Sequence, residues 1–227
     1  MERDSPNIAR ALAELCHRSH ARGWALGTSG NFSAVISRRP FRLAITASAC
    51  NKRALSPADI VTVNERGELV GRRPIRAARA SERRPSAETL LHLAIARERG
   101  AGAVVHTHSV WSTMMSDLHA SAGGLGIGGY EMLKGLQGVT SHQHREWIPI
   151  LENDQDMARL ARGVRDILAQ HEDAHAVLLR RHGLYTWGDT LGDAERHLEI
   201  LEFLFETLGR TRTVADTTPD GGMQWRS

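Results

Sequence analysis

Apolar positions recur along this chain with two periods, one near 3.6 and one of 2, and their alternation sets the expected architecture. Ile8, Leu12 and Leu15 keep helical spacing into the stretch His17 to Arg22, and Gly23 supplies a stop that tolerates the left-handed C-terminal conformation. A glycine-rich passage, Gly27-Thr28-Ser29-Gly30-Asn31-Phe32-Ser33, then leads into Ala34-Val35-Ile36. Phe41 to Thr46 alternates as a half-buried strand does, so the two runs predict a hairpin. Ser56-Pro57 reads as an N-cap with proline at the first helical position. One short turn precedes the strand Ile60-Val61-Thr62-Val63, which the turn Asn64 to Gly67 closes.

Ser86 can cap a helix whose apolar face is Leu90, Leu91, Ala94 and Ile95 and whose end is Gly100. Ala103-Val104-Val105 starts an apolar strand that carries on through His106-Thr107-His108. Ser109 caps the next helix, Val110 to Leu118, and Gly123 to Gly129 breaks the pattern. Residues 153–171 form an amphipathic helix with Met157, Leu160, Val164, Ile167 and Leu168 on one side. The strand Ala176 to Leu179 and the run Arg180-Arg181-His182-Gly183 follow. A long helix from near Asp193 presents Leu198, Leu201, Phe205 and Leu208. Strands interleaved with helices imply one three-layer α/β domain over residues 1–210. The polar stretch 211–227 has no core-forming pattern and is expected to be a disordered tail.

Composition narrows the function. With 41% hydrophobic and 24% charged residues among 227, the chain suits a soluble globular domain. It shows neither an apolar leader nor a run approaching the roughly 18 apolar residues of a membrane span, so a cytoplasmic protein with no membrane partner is expected. Cys16 and Cys50 are too few for a disulfide framework and wrongly spaced for a thiolate zinc site, which leaves histidine and carboxylate as metal donors. The net charge of +3 raises the question of nucleic acid. However, Arg72, Arg73, Arg76, Arg79, Arg83 and Arg84 lie with Pro74 and Pro85 and without an aromatic residue. A solvated loop is the better reading, and no nucleic-acid partner is expected.

His106 and His108 stand two apart on an expected strand, so both imidazoles leave the same face, roughly 6–7 Å apart at the backbone. That spacing lets both reach one ion. A catalytic zinc takes three protein ligands and keeps one open position, and His182, which also follows an apolar strand, is the best third candidate. Gly183 beside it would let backbone approach a crowded site. The plainer reading, two strand histidines satisfied by carbonyls and water, stays open at this point. No GxxxxGK[ST] phosphate loop occurs.

Five ordered motifs extend the argument: Gly30-Asn31-Phe32-Ser33, Thr46-Ala47-Ser48, Ser86 to His92, His106-Thr107-His108-Ser109 and Arg181-His182-Gly183. Over residues 8–209 the chain resembles the class II aldolase/adducin family. The resemblance implies an α/β/α fold around a mainly antiparallel or mixed sheet. It also implies one Zn2+ per subunit on His106, His108 and His182, a small sugar phosphate as substrate, and a homotetramer with sites near subunit boundaries. The phosphate would lie against Gly30, Asn31, Ser33, Thr46, Ser48 and Ser86. Lys52 either adds a charge there or is a surface lysine, and Ala49 stands where relatives usually carry glycine. Two carboxylates compete for the acid/base role, because family aldolases use the match of Glu88 and family dehydratases the match of Glu131.

Glu131 to Gly135, Thr140 to Ile150 with His144-Arg145-Glu146, and Arg180 to Gly188 are similar to the dehydratase branch. That implies loss of water from 5-methylthioribulose 1-phosphate to give 2,3-diketo-5-methylthiopentyl 1-phosphate in methionine salvage. Glu131 would then be catalytic, and Glu88 a metal-proximal or structural group bonded to His92 or placed to favour its helix dipole. The alternatives are an aldolase or epimerase acting on a fuculose or ribulose phosphate, and a non-catalytic adducin-like interaction domain.

Overall fold

In the computed structural model, which describes residues 5–70 and 83–217, helix α1 (Ser5–Ala21) is followed by strands β1 (Asn31–Arg38), β2 (Phe41–Thr46) and β3 (Ile60–Val63). Then come α2 (Thr89–Glu98), β4 (Ala103–Thr107), α3 (Val110–Leu118), β5 (Gly124–Gly128), β6 (Arg145–Leu151), α4 (Met157–Gln170), β7 (Ala176–Leu179), β8 (Gly183–Gly188) and α5 (Leu191–Thr217). The strands form one sheet in the order β3-β2-β1-β4-β8-β7-β6-β5. Its pairs are antiparallel except β6 with β7, which makes the expected mixed sheet.

Each face of the sheet buries its own apolar cluster. On one side Leu91 and Ile95 of α2 and Leu160, Val164 and Leu168 of α4 cover Val104, Val177 and Tyr185. On the other, Leu12 and Cys16 of α1, Met115 of α3, and Leu198, Leu201 and Phe205 of α5 cover Phe32, Val105 and Leu178. Each such leucine or phenylalanine contributes on the order of 2–3 kcal/mol by leaving water. Strand β4 is buried along its whole length between β1 and β8. The sheet's pleat therefore decides which layer each β4 residue meets: Val104 and His106 face α2 and α4, and Val105 and Thr107 face α5.

Three strands lie where the pattern predicted none. Gly123 to Gly129 reads as a break, yet β5 pairs with β6 at the sheet edge because Trp147 lies across glycines; a Cβ on Gly124 would meet its ring at 2.4 Å. Gly124, Gly126 and Gly129 have GxGxxG spacing, but they sit in and just after this edge strand and not in a strand-to-helix turn, so they form no dinucleotide cradle. Helix α5 runs on to Thr217, past the expected boundary, with Arg210 paired to Glu206 and the Thr211 hydroxyl donating to the Thr207 carbonyl. The rest of the tail, 218–227, and Arg72, Arg73, Arg76 and Arg79 lie outside the described residues. Arg83 pairs with Asp59 at 2.9 Å. Among the described residues no helix is long and apolar enough to cross a membrane.

Candidate metal centre and substrate cleft

Strand pairing delivers the histidines to one point. The β1–β4 register sets Asn31 beside His106, and the β4–β8 register sets His106 beside Tyr185. His108 lies just past the end of β4, where its backbone N–H donates to the Trp24 carbonyl. His182 arrives from the turn between β7 and β8, in which Arg181 takes a left-handed conformation and its N–H donates to Ser116 Oγ. Two glycines make this approach possible. A Cβ on Gly183 would lie 2.0 Å from the Thr107 carbonyl oxygen, and one on Gly30, at φ +73°, would lie 2.7 Å from that of His106.

The Nε2 atom of His108 is 2.8 Å from Nε2 of His106 and 3.2 Å from Nε2 of His182. Glu88 closes the group, with Oε1 3.0 Å from His182 Nε2 and Oε2 3.4 Å from His106 Nε2. Protons cannot satisfy all these contacts. His106 Nδ1 donates to the Leu184 carbonyl at 2.9 Å and His182 Nδ1 to Asn153 Oδ1 at 3.2 Å, so in the neutral rings both Nε2 atoms are lone pairs. Two lone pairs and a carboxylate oxygen converging on one point repel each other unless a cation lies among them. The donor set therefore fits a divalent metal held by His106, His108 and His182, with Glu88 alongside; these four are the group of potential ligands among the described residues.

The electrostatics favour the same state. Burial pushes the His106 imidazole well below its ordinary value, and burial together with His182 brings His108 down to about 4, so both are neutral at physiological pH, the form in which imidazole can bind a metal. Burial works to raise the Glu88 carboxyl, but the neighbouring His106 and His182 rings and the Asn31 amide outweigh it and keep it ionised.

A second layer fixes these groups. Asn31 Nδ2 donates to Glu88 Oε2 and to Ser86 Oγ, and Asn31 Oδ1 accepts from Nε2 of the fully buried His92, whose Nδ1 takes the Ser33 hydroxyl proton at 2.7 Å. Glu88 is thus linked to His92 through Asn31 and not directly. Its carboxylate turns into the cluster and makes no capping bond to α2. Tyr185 stacks on His106 at 3.9 Å between ring centroids, with its fully buried phenol beside Glu88.

Behind the strand, the Thr107 hydroxyl donates to Glu202 Oε1 at 3.1 Å while Oε2 has no partner, and burial raises this carboxyl to about 7. Between about 4.5 and 7 the folded chain keeps a proton that the unfolded chain has released, so this group makes stability fall as pH rises through that window. Glu202→Gln is expected to be neutral near pH 4.5 and stabilising above pH 7, by on the order of 2–3 kcal/mol. Thermal melts of variant and native protein at both ends of that range check it, and an equal difference at both would contradict it.

The cleft in front of the cluster is lined by Gly30, Asn31, Ser48, Lys52 and Ser86, and by Thr28, Ser29, Asn153, Gln155 and Met157, which the motifs did not indicate. Ser33 and Thr46 are not in its lining. Both are fully buried, with the Ser33 hydroxyl held by His92 and the Thr46 hydroxyl accepting from the Phe32 N–H. Lys52 is no surface lysine: it is 1% exposed, and Nζ donates to the Thr28 and Cys50 carbonyls at 3.2 Å each. Ala49 adopts φ +57°, the conformation glycine takes without strain, so the loop keeps its shape at a cost of roughly 1–2 kcal/mol.

Glu131 is not brought to the cluster. It begins a 3-10 turn, Glu131–Gly135, is 70% exposed, and is paired with Lys134, whose ammonium holds its carboxyl below the usual range. His171-Glu172-Asp173-Ala174-His175 has the spacing of a helical HExxH motif, but His171 closes α4 and His175 sits at the entry to β7, so no helical face carries both rings.

The sequence profile of the Class II Aldolase and Adducin N-terminal domain matches residues 10–208. Methylthioribulose-1-phosphate dehydratase from Sorangium cellulosum is 41% identical over 201 residues, covering 88% of this chain and 90% of that protein. The protein of the same name from Alcanivorax borkumensis is 43% identical over 199 residues, covering 87% and 88%. Among solved structures, YgbL from Escherichia coli, titled a putative aldolase/epimerase/decarboxylase, is 25% identical with a TM-score of 0.73, covering 91% of this chain and 90% of that one. An l-fuculose-1-phosphate aldolase from Thermus thermophilus, 22% identical with a TM-score of 0.69, shares the fold over 95% of this chain.

Proposed function

The chain belongs to the class II aldolase and adducin family, and on that premise we propose that it dehydrates 5-methylthioribulose 1-phosphate to 2,3-diketo-5-methylthiopentyl 1-phosphate, in the cytoplasm, as a step of methionine salvage. The observation that carries the reading is the convergence of three imidazole nitrogens and one carboxylate at the floor of the cleft, in a chain about 40% identical to proteins named for this reaction. An interaction domain without catalysis has no use for such a set. Three imidazoles with room for a further ligand suit Zn2+, which when bound supplies Lewis acidity toward a ketose carbonyl and so acidifies the adjacent C–H.

The chain's own groups do the rest. Gly30, Ser48 and Ser86 hold the phosphate, and Lys52, with two of its three N–H donors spent on carbonyls, offers the third to a phosphate oxygen. Met157, the apolar lining residue that does not adjoin the phosphate-holding serines, suits the methylthio end. Ionised Glu88, beside His106 and His182, tightens the metal site and orients the ligands. Glu131 is the acid/base: it removes the C3 proton and returns one to the departing C4 hydroxyl. Because it lies exposed and outside this chain's cleft lining, it acts on a neighbouring subunit's cleft in a homotetramer whose sites lie at subunit boundaries.

One observation favours a second reading, aldol cleavage: Glu88, the carboxylate matching that of family aldolases, is the one at the centre of this cluster. Product analysis separates the two. Metal-replete protein given 5-methylthioribulose 1-phosphate is expected to form the diketone and no aldehyde fragment. Release of dihydroxyacetone phosphate with a methylthio aldehyde would replace dehydration by cleavage.

A further inference from the structure

Glu131 stands on the segment between β5 and β6, which Arg196 holds at the Gly135 carbonyl and which has a further anchor at Gln137, outside the cleft lining. Gln137 donates its backbone N–H to His197 Nε2 at 3.0 Å, accepts at its carbonyl from His175 Nε2 at 2.8 Å, and donates its side-chain amide to Asp189 at 2.7 Å. Leu133 and Leu136, buried in the core, hold the same turn from within. We infer that His175 is a positioning residue for Glu131, acting through the backbone of Gln137; the inference rests on the Glu131 role proposed above.

Hydrogen-bond chemistry assigns the two rings different states. His197 Nδ1 faces the Trp187 carbonyl at 2.7 Å and must carry the proton, so its Nε2 is free to accept from Gln137. Both nitrogens of His175 face acceptors: Nδ1 is 3.0 Å from Glu146 Oε2, and Nε2 is 2.8 Å from the Gln137 carbonyl. Only the imidazolium donates at both. Glu146, 1% exposed, is its counter-charge and also accepts from the His175 backbone N–H at 2.9 Å and from His144 Nε2 at 2.8 Å. Burial disfavours a charge on His175, but Glu146 and the Gln137 carbonyl outweigh it and raise its pKa, while burial lowers that of His197.

The other charged or titratable groups facing His175 are the His197 ring at 5.3 Å on α5, His144 before β6, Arg99 after α2, and Glu172, Asp173 and Asp189 around the same cavity. None of this network lines the substrate cleft. When His175 loses its proton, one of its two acceptors loses its donor, and the turn bearing Glu131 loosens. The expected consequence is an alkaline fall in kcat without a matching change in KM.

The test compares metal-replete, full-length His175→Phe and Glu146→Gln with native protein, reading kcat and KM against pH and hydrogen exchange over residues 129–144. His175→Phe is expected to lower kcat about tenfold, a displacement-sized effect, with KM within about twofold and the alkaline limb gone. Glu146→Gln should move that limb to lower pH, and exchange over 129–144 should quicken in both. An unshifted kcat profile in a variant that keeps its metal overturns the inference. If His175→Phe loses its metal, the Glu146→Gln limb alone decides. Glu131→Gln, run in parallel, tests the reading beneath it: normal turnover there removes the Glu131 role, while hydrogen exchange still reports whether His175 holds the turn.

Discussion

His108→Ala protein is expected to bind no stoichiometric metal and to lose at least about 10³-fold in kcat/KM, equivalent to about 4 kcal/mol of transition-state stabilisation. His108 is the ring in contact with both others, its Nε2 lying 2.8 Å from His106 and 3.2 Å from His182. Without it two imidazoles and Glu88 remain, and the neutral rings lose the shared cation that reconciles their lone pairs. The fold should survive, since His108 lies past the end of β4 and the sheet on both sides is intact. Elemental analysis and steady-state kinetics on the same sample check this. Turnover persisting in metal-free His108→Ala would place the chemistry elsewhere.

Glu131→Gln is expected to behave in the opposite way, keeping its metal and its melting temperature while kcat falls about 10²–10⁴-fold, the contribution of a positioned acid/base. Stability should hold, because within the chain this carboxylate makes only surface pairs, with Lys134 and His142, and glutamine keeps its shape. The chain's own cleft does not contain Glu131, so its effect also reports on assembly. Mixing Glu131→Gln with His108→Ala subunits should restore part of the turnover, since in the proposed tetramer a hybrid would bring an intact metal site to an intact Glu131. If Glu131→Gln alone turns over normally, Glu88 is the remaining carboxylate for proton transfer.

What the sequence disclosed and what it hid follow from the kind of signal each feature leaves. The helices were legible because α2, α4 and α5 present apolar faces at helical spacing, and β1, β2 and β4 because their apolar runs end in turn residues. Strand β5 left no such trace: its glycines are there to accommodate a tryptophan ring, and a glycine run reads as a break. The cluster of His106, His108 and His182 was legible from the family resemblance more than from spacing: β4 ends at Thr107, so His108 lies beyond the strand whose alternation was to place it, while Gly183 does face the Thr107 carbonyl.

The second layer was not legible. Asn31 linking Glu88 to His92, Asn153 holding His182 and Tyr185 stacked on His106 are contacts between distant segments with no spacing signature. Nor does composition distinguish hydroxyls that face a ligand from those that bind the chain itself. Ser48 and Ser86 reached the cleft, and Ser33 and Thr46 did not. The HExxH spacing at His171 to His175 shows the converse, a motif-like string whose helix ends before its second histidine.

The central claim is that His106, His108 and His182 share one divalent ion with a place left open for substrate. X-ray absorption at the zinc edge on the purified native protein tests it most directly. One zinc per chain with three imidazole nitrogens in its coordination shell is the result expected. A chain with no bound metal, or a metal with thiolate or all-oxygen ligands, would contradict it.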